Sequence, residues 1–268
     1  MNKDILYESI VDLKEDITTP VIAMEIKYFE NNTIVSQRLF TMGNFSALVG
    51  KMKSKKTFLA SMLMSAASSG TAIENKLVGK LPKEKKLCVY IDTEQSRFDA
   101  QKVGRQILKS GGDEENLKVF CLREFAPKER IQVIDFILED MGHMTGLVVI
   151  DGIADLVHSI NDEIEASQTV TKLMKWSTEY GLHIITLIHA NKNDGYATGH
   201  IGSYVLKKCE CVISLIKDEA DYRISRVKHE MMRGAGHFPD FDIKILDGEP
   251  EIDDMKGLSS HYEDKAPF

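Results

Sequence analysis

The stretch Gly50-Lys-Met-Lys-Ser-Lys55-Lys56-Thr57 carries the clearest chemistry in the chain. Its spacing follows that of a phosphate-binding loop, G-x-x-x-x-G-K-[ST]. Backbone N–H groups of such a loop and of the helix behind it point at one spot and favour an anion there. Lys56 is placed to reach the β- and γ-phosphates of a nucleotide, and the Thr57 hydroxyl to ligate Mg²⁺. Gly50, Lys51, Met52, Lys53, Ser54, Lys55, Lys56, Thr57 and Phe58 are the candidate nucleotide contacts. One position departs from the motif: Lys55 stands where the second glycine belongs, so its side chain must be steered away from the nucleotide or contact it. The four lysines also fit a solvated basic loop or a nucleic-acid patch. The flanks favour phosphate binding. An apolar run, Phe45 to Val49, reads as a buried strand, and Phe58, Leu59, Met62, Leu63, Ala66 and Ala67 follow at helical spacing.

Three further strand ends carry reactive groups. Asp151 closes Leu-Val-Val-Ile and has the form of a metal-holding aspartate; the alternative is an aspartate capping a turn before Gly152. Glu94 closes Leu87 to Ile91 and is suited to polarising an attacking water, or else is a helix-start carboxylate. Of Asp92 and Glu94, one is expected to face the phosphate, and Glu94 is preferred. His189 closes Leu182 to Ile188, placed either to sense a γ-phosphate or to serve as a satisfied structural histidine. A late strand runs into Arg226-Val-Lys228-His-Glu-Met-Met-Arg233-Gly234. Lys228 or Arg233 there can act as a finger on a neighbour's nucleotide, or can be an exposed basic turn.

The elements that must position these groups alternate. Apolar strands are separated by helices expected over Arg97 to Lys109, Pro127 to Met141 and Glu163 to Tyr180. Continuous apolar strands of this kind mean a parallel sheet covered on both faces, with ligands at the carboxyl ends of its strands. Ahead of it, Val21 to Phe29 and Thr33 to Thr41 flank Glu30-Asn31-Asn32, a hairpin signal. A short helix is expected over residues 4–16, a polar connector over Gly70 to Lys86, a mobile loop over Asp194 to Tyr204, and antiparallel edge strands from Glu210 onward. The organisation is an arm over 1–42 packed on the core, a core domain over 43–248, and an acidic tail over 249–268 expected to be disordered.

The 268 residues carry a net charge of −7, which excludes a generally basic nucleic-acid coat but allows a local basic channel. No apolar run approaches the roughly 20 residues of a membrane span. The mixed, acidic start does not read as a secretory signal. Cys88, Cys121, Cys209 and Cys211 form no CxxC pair, so reduced core cysteines in a cytoplasmic protein are expected, without a zinc site.

In this order, GKMKSKKT, YIDTEQS, LVVIDGIADL, LIHANKN, GSYVLKKCECVISL and VKHEMMRG resemble a RecA-fold P-loop ATPase, and most the plasmid RepA-type and DnaB-type hexameric helicases. The resemblance spans Gly50 to about Gly236. It implies a RecA-like α/β fold: a mostly parallel central sheet flanked by helices, with the N-terminal hairpin and antiparallel C-terminal edge strands. It implies ATP and Mg²⁺ bound between neighbours of a homo-oligomeric, six-membered ring. It gives Glu94 the water-activating role, His189 the sensor position, and Lys228 or Arg233 the trans finger. It also implies that Asn191 to Tyr204 faces a central channel and touches single-stranded DNA, with Lys192, His200 and Tyr204 as candidate contacts. Two functions remain open: a helicase or translocase in replication of a plasmid, phage or mobile element, and a non-motor ATP switch that loads or regulates a partner.

Overall fold

The apolar runs build the central sheet. Strands β3 (Phe45–Gly50), β6 (Leu87–Asp92), β8 (Thr145–Asp151) and β9 (His183–His189) are buried along nearly their whole lengths. With β7 (Leu117–Cys121) and β10 (Cys211–Lys217) they run parallel in the order β10-β3-β9-β8-β6-β7. The structure, a computed structural model, describes residues 9–191 and 197–253.

Strands buried on both sides need two covering layers. One layer holds α1 (Lys56–Ser69) and α2 (Arg97–Lys109), packed on Leu48, Tyr90, Val149 and Leu187. The other holds α3 (Pro127–Met141), α4 (Glu163–Glu179) and α5 (Gly199–Lys208), packed on Ala47, Val89, Ile91 and Ile150. The helix bounds follow local chemistry. Ser96 accepts from the Asp99 amide to cap α2, Asp162 caps α4 through the Glu165 amide, and Pro127 opens α3.

The front hairpin forms as its sequence predicts. Strand β1 (Ile22–Glu30) pairs antiparallel with β2 (Thr33–Thr41), turning through Asn31 and Asn32, both with positive φ. The connector after α1 is more ordered than expected. It contributes β4 (Ala72–Ile73) and β5 (Leu77–Gly79) to a second sheet of order β2-β1-β5-β4. This sheet lies over α1, which is why nearly every α1 side chain is buried rather than one stripe. At the contact, a Cβ on Gly79 would stand 2.0 Å from the Ala66 carbonyl oxygen, so only glycine fits.

The strand from Glu210, expected as the first of the antiparallel edge strands, is instead β10, which pairs parallel with β3 and lies inside the sheet. Three further sequence expectations are corrected. Antiparallel strands β11 (Ile224–Met232) and β12 (Phe241–Leu246) continue the sheet beyond β10, and β13 (Glu249–Asp253) pairs with β12. The expected disordered tail therefore starts inside a strand. Asp247 and Gly248, both at positive φ, fold it back, and Glu249 meets Lys109 of α2. Residues 254–268 lie outside the described residues. Second, residues 9–16 of the expected first helix form turns, with Ile10, Val11 and Leu13 exposed, since no apolar surface receives them. Third, the expected loop over Asp194 to Tyr204 gives way to α5 from Gly199 onward, whose Ile201 and Val205 enter the core.

A buried polar cluster fastens the hairpin to the sheet. Glu210 accepts from the Thr41 amide at 3.0 Å and the Thr41 hydroxyl at 2.8 Å. His183 Nδ1 donates to the Thr41 carbonyl at 2.7 Å, and its ring stacks on Phe40 at 4.6 Å. Complete burial holds the His183 pKa down, to about 4. The unfolded chain takes up this proton near pH 6.5 and the fold does not, so stability is lost as pH falls from about 6.5 to about 4. His183→Asn, which keeps the donor, removes up to about 3 kcal/mol of that acid loss. Glu210 titrates with the opposite sign in both proteins and cancels in the comparison. Urea unfolding between pH 7 and pH 4 checks this; parallel pH profiles would contradict it.

Candidate active site

Every strand end singled out in the sequence lies on the carboxyl edge of the sheet. The turn after β3 wraps tightly: a Cβ on Gly50 would stand 2.3 Å from Ser54 Oγ and 2.6 Å from the Leu215 carbonyl oxygen. Lys53 and Lys55 both adopt left-handed backbone, at φ 63° and 68°. No side chain caps α1 and its first turn holds no acidic residue, so its N–H groups are left for an anion. Lys51, Met52 and Lys53 are exposed, Ser54 and Lys56 buried, and Lys55, Thr57 and Phe58 half-buried.

Around this turn the predicted residues converge. Lys56 Nζ donates to the Gly50 carbonyl at 2.8 Å and lies 3.3 Å from His189 Nδ1. His189 Nε2 lies 3.4 Å from Glu94 Oε1. One tautomer serves both contacts, with Nδ1 accepting and Nε2–H donating. Thr57 Oγ1 donates to Asp151 Oδ2 at 2.9 Å. The hydrogen bond from His189 lowers the Glu94 pKa against the opposing effect of burial, which favours the carboxylate. Burial lowers the Lys56 pKa, while Asp151 and Glu94 oppose the shift. Burial raises the Asp151 pKa, which the Tyr90 and Thr57 hydroxyls oppose.

Asp92 takes a different part from Glu94. It is wholly buried, and its Oδ1 accepts from the Glu94 and Gln95 amides at 3.0 and 2.8 Å. That turn directs Glu94 outward, where it lines a cavity of about 680 Å³ with Lys56, Thr57, Asp151 and His189. Burial pushes the Asp92 pKa up to about 6.

These oxygens fit a hard divalent cation. Mg²⁺ in phosphate sites takes one or two carboxylates, keeps waters and draws its other ligands from the substrate. Asp151 supplies one such carboxylate and Thr57 a hydroxyl, and Asp92 Oδ2 is a buried oxygen without a hydrogen-bond partner among the described residues. Among the described residues no group of three or more His, Cys, Asp or Glu is placed to hold a metal ion. The four cysteines are free.

Other predicted residues lie elsewhere. Lys228 and Arg233 are not among the residues lining the cavity. Lys228 sits within β11, and Arg233, just beyond it, donates to the Lys207 carbonyl at 2.8 Å. His200 and Tyr204 are on α5, with the Tyr204 hydroxyl donating to Glu163 at 2.7 Å. Lys192 lies outside the described residues. Thr198 joins this region to the site: its amide and hydroxyl both donate to the His189 carbonyl, at 3.0 and 2.8 Å.

The sequence reading missed several residues. Tyr90 lies wholly buried and its hydroxyl donates to Asp151 Oδ2. The signal was present: Tyr90 is two residues before Asp92, on the same strand face, and a buried tyrosine hydroxyl needs a partner. Tyr222, Arg223, Ile245, Leu246 and Asp247 line the far side of the cavity, and no local pattern marks them. Tyr90→Phe keeps the ring but leaves a buried carboxylate oxygen short of a donor. It is expected to cost about 1–3 kcal/mol of stability in urea unfolding. A change under about 0.5 kcal/mol would show that the hydroxyl does not support Asp151.

A family model described as "AAA domain" matches residues 29–195, more than half of the chain. The match takes in the Gly50–Thr57 loop, Glu94, Asp151 and His189, and stops short of His200, Tyr204, Lys228 and Arg233. No curated protein matches the chain. With the phosphate loop, the strand-end aspartate and five of the six parallel strands within the matched span, the chain belongs to the AAA domain family and is a P-loop ATPase.

Proposed function

We propose that the protein is a homo-oligomeric ring ATPase, a helicase or translocase of the RepA/DnaB type, acting on single-stranded DNA in replication of a plasmid, phage or mobile element within the cytoplasm. The observation that carries this reading is the chain Lys56–His189–Glu94 at the cavity, with the His189 carbonyl held by Thr198 at the head of α5. A motor needs the γ-phosphate coupled to a segment outside the nucleotide site, and His189 lines the cavity while its carbonyl is bonded by Thr198.

In the proposed reaction Lys56 and the loop amides bind the β- and γ-phosphates. Mg²⁺ held by Thr57 and Asp151 would neutralise charge building on the phosphate oxygens. Glu94 accepts a proton from water as the water oxygen bonds to the γ-phosphorus. The bond from that phosphorus to the bridging oxygen breaks, and ADP leaves with the electron pair. His189 reads the γ-phosphate by turning its Nε2–H from Glu94 to a phosphate oxygen. Arg233, or Lys228, serves the neighbour's site, since neither lines the cavity of its own chain. Lys192, His200 and Tyr204 are the proposed DNA contacts.

The non-motor switch is the second reading, and two contacts favour it. Tyr204 is engaged by Glu163, and Arg233 by the Lys207 carbonyl. Both would have to be released for DNA contact and trans action. ATPase assays with and without single-stranded DNA, paired with native mass measurement, separate the readings. The motor predicts DNA-stimulated turnover by a ring; a switch shows no stimulation.

Lys56→Ala is expected to lose most affinity for ATP, because it removes the one charge centred on the β- and γ-phosphates. Near wild-type binding would rule out the phosphate-loop assignment. Glu94→Gln is expected to bind Mg-ATP and hydrolyse it about two to four powers of ten more slowly. An unchanged rate, with Asp92→Asn inactive, would move the base to Asp92. Arg233→Ala is expected to keep binding and assembly and lose DNA-stimulated turnover. Mixing it with Glu94→Gln subunits should restore some activity at mixed boundaries. Mixed rings without recovery at any ratio would count against a trans role.

A further inference from the structure

Lys55 occupies the motif's second glycine position and keeps the backbone that glycine would take, φ 68° and ψ 26°. A residue with a Cβ adopts that region at a cost. Its side chain neither enters the phosphate cradle nor runs into solvent. Lys55 Nζ donates to the Tyr222 carbonyl at 2.7 Å, the Ile224 carbonyl at 3.2 Å and Ser225 Oγ at 3.1 Å. Three acceptors meet the three donors of one ammonium.

Ile224 and Ser225 are the buried first residues of β11. Just before them, Tyr222 and Arg223 form part of the cavity wall, facing the site from the side away from Glu94 and His189. Tyr222 is 74% exposed, so packing does little to fix it. The local turn is held by Asp218 and Asp221 accepting from nearby amides. Lys55 adds a tie from this turn to the phosphate loop itself.

Resting on the ATPase reading, we infer that Lys55 is a positioning residue: it fastens the phosphate loop to the head of β11 and so holds Tyr222 and Arg223 on the cavity wall. Lys56 and this wall border the same cavity, so a nucleotide with its phosphates at Lys56 and the rest of its body in that cavity would lie against the wall. Glycine at this position would make the same loop turn and leave the wall without its tie to the phosphate loop. The departure from the motif exchanges backbone strain for a strut.

The test titrates the full chain with ribose-labelled fluorescent ADP and a fluorescent non-hydrolysable ATP analogue in Mg²⁺, with hydrogen exchange followed at Tyr222–Ser225. Lys55→Gly and Lys55→Met are expected to weaken both nucleotides at least five-fold, by similar factors, and to speed exchange at Tyr222–Ser225. Lys55→Arg should stay within two-fold of wild type. Loss confined to the triphosphate would place Lys55 on the γ-phosphate and overturn the inference, as would wild-type binding with unchanged exchange. Ser225→Ala leaves the loop intact and should speed the same exchange and weaken both nucleotides about two-fold. It decides the matter if the Lys55 variants do not fold, with no change in either measure counting against the tie. A wild-type chain that binds neither nucleotide would instead overturn the ATPase reading.

Discussion

The burial of α1 between two sheets is the constraint on which the rest depends. Its N-terminus has to present free N–H groups to phosphate, and among the described residues no side chain caps it. The helix must therefore be held by its body. Leu59, Met62, Leu63 and Ala66 sink into the core cluster, and the second sheet closes over the helix at Gly79. The buried serines along it find carbonyl partners, Ser61 on Thr57 and Ser65 on Ser61 and Ile107. A helix so enclosed keeps its first turn fixed while the phosphate end stays open to the cavity.

That fixed point sets the electrostatics of the site. Glu94 and Asp151 lie near one ammonium, Lys56, with Asp92 beside them, and burial raises the pKa of Asp92 and Asp151. Without a cation the carboxylates disfavour one another's ionisation. The hydroxyls of Thr57 and Tyr90 ease this for Asp151, and the His189 contact eases it for Glu94. The arrangement suits a divalent cation arriving with phosphate, and it separates the carboxylates by role. Asp92 shapes a turn, Asp151 faces Thr57, and Glu94 stands at the opening with a lowered pKa.

Outside the site, the same sheet carries its consequences in two directions. His189 is bonded through its carbonyl to Thr198 and so to α5. Lys55 is bonded to β11, which ends near Arg233. Both links begin at residues that line the cavity with Lys56.

The sequence by itself determined the buried strands of the central sheet, most helix bounds and the identity of the reactive strand ends. The reason is local: continuous apolar runs, capping residues and the loop spacing are properties of a few neighbouring residues. Helices α2 and α3 begin and end where Ser96, Pro127 and their periodicity place them. Tertiary structure decided what depended on distant partners. The polar connector became two strands because β1 was there to pair with β5. The acidic segment after Glu249 became a strand because β12 offered an edge, and residues 9–16 stayed out of a helix because no surface received them. Lys55 showed the limit most plainly. Its position in the motif posed the question of where the side chain goes, and the answer lay about 170 residues away, in carbonyls that only the folding of β11 against β10 brings within reach.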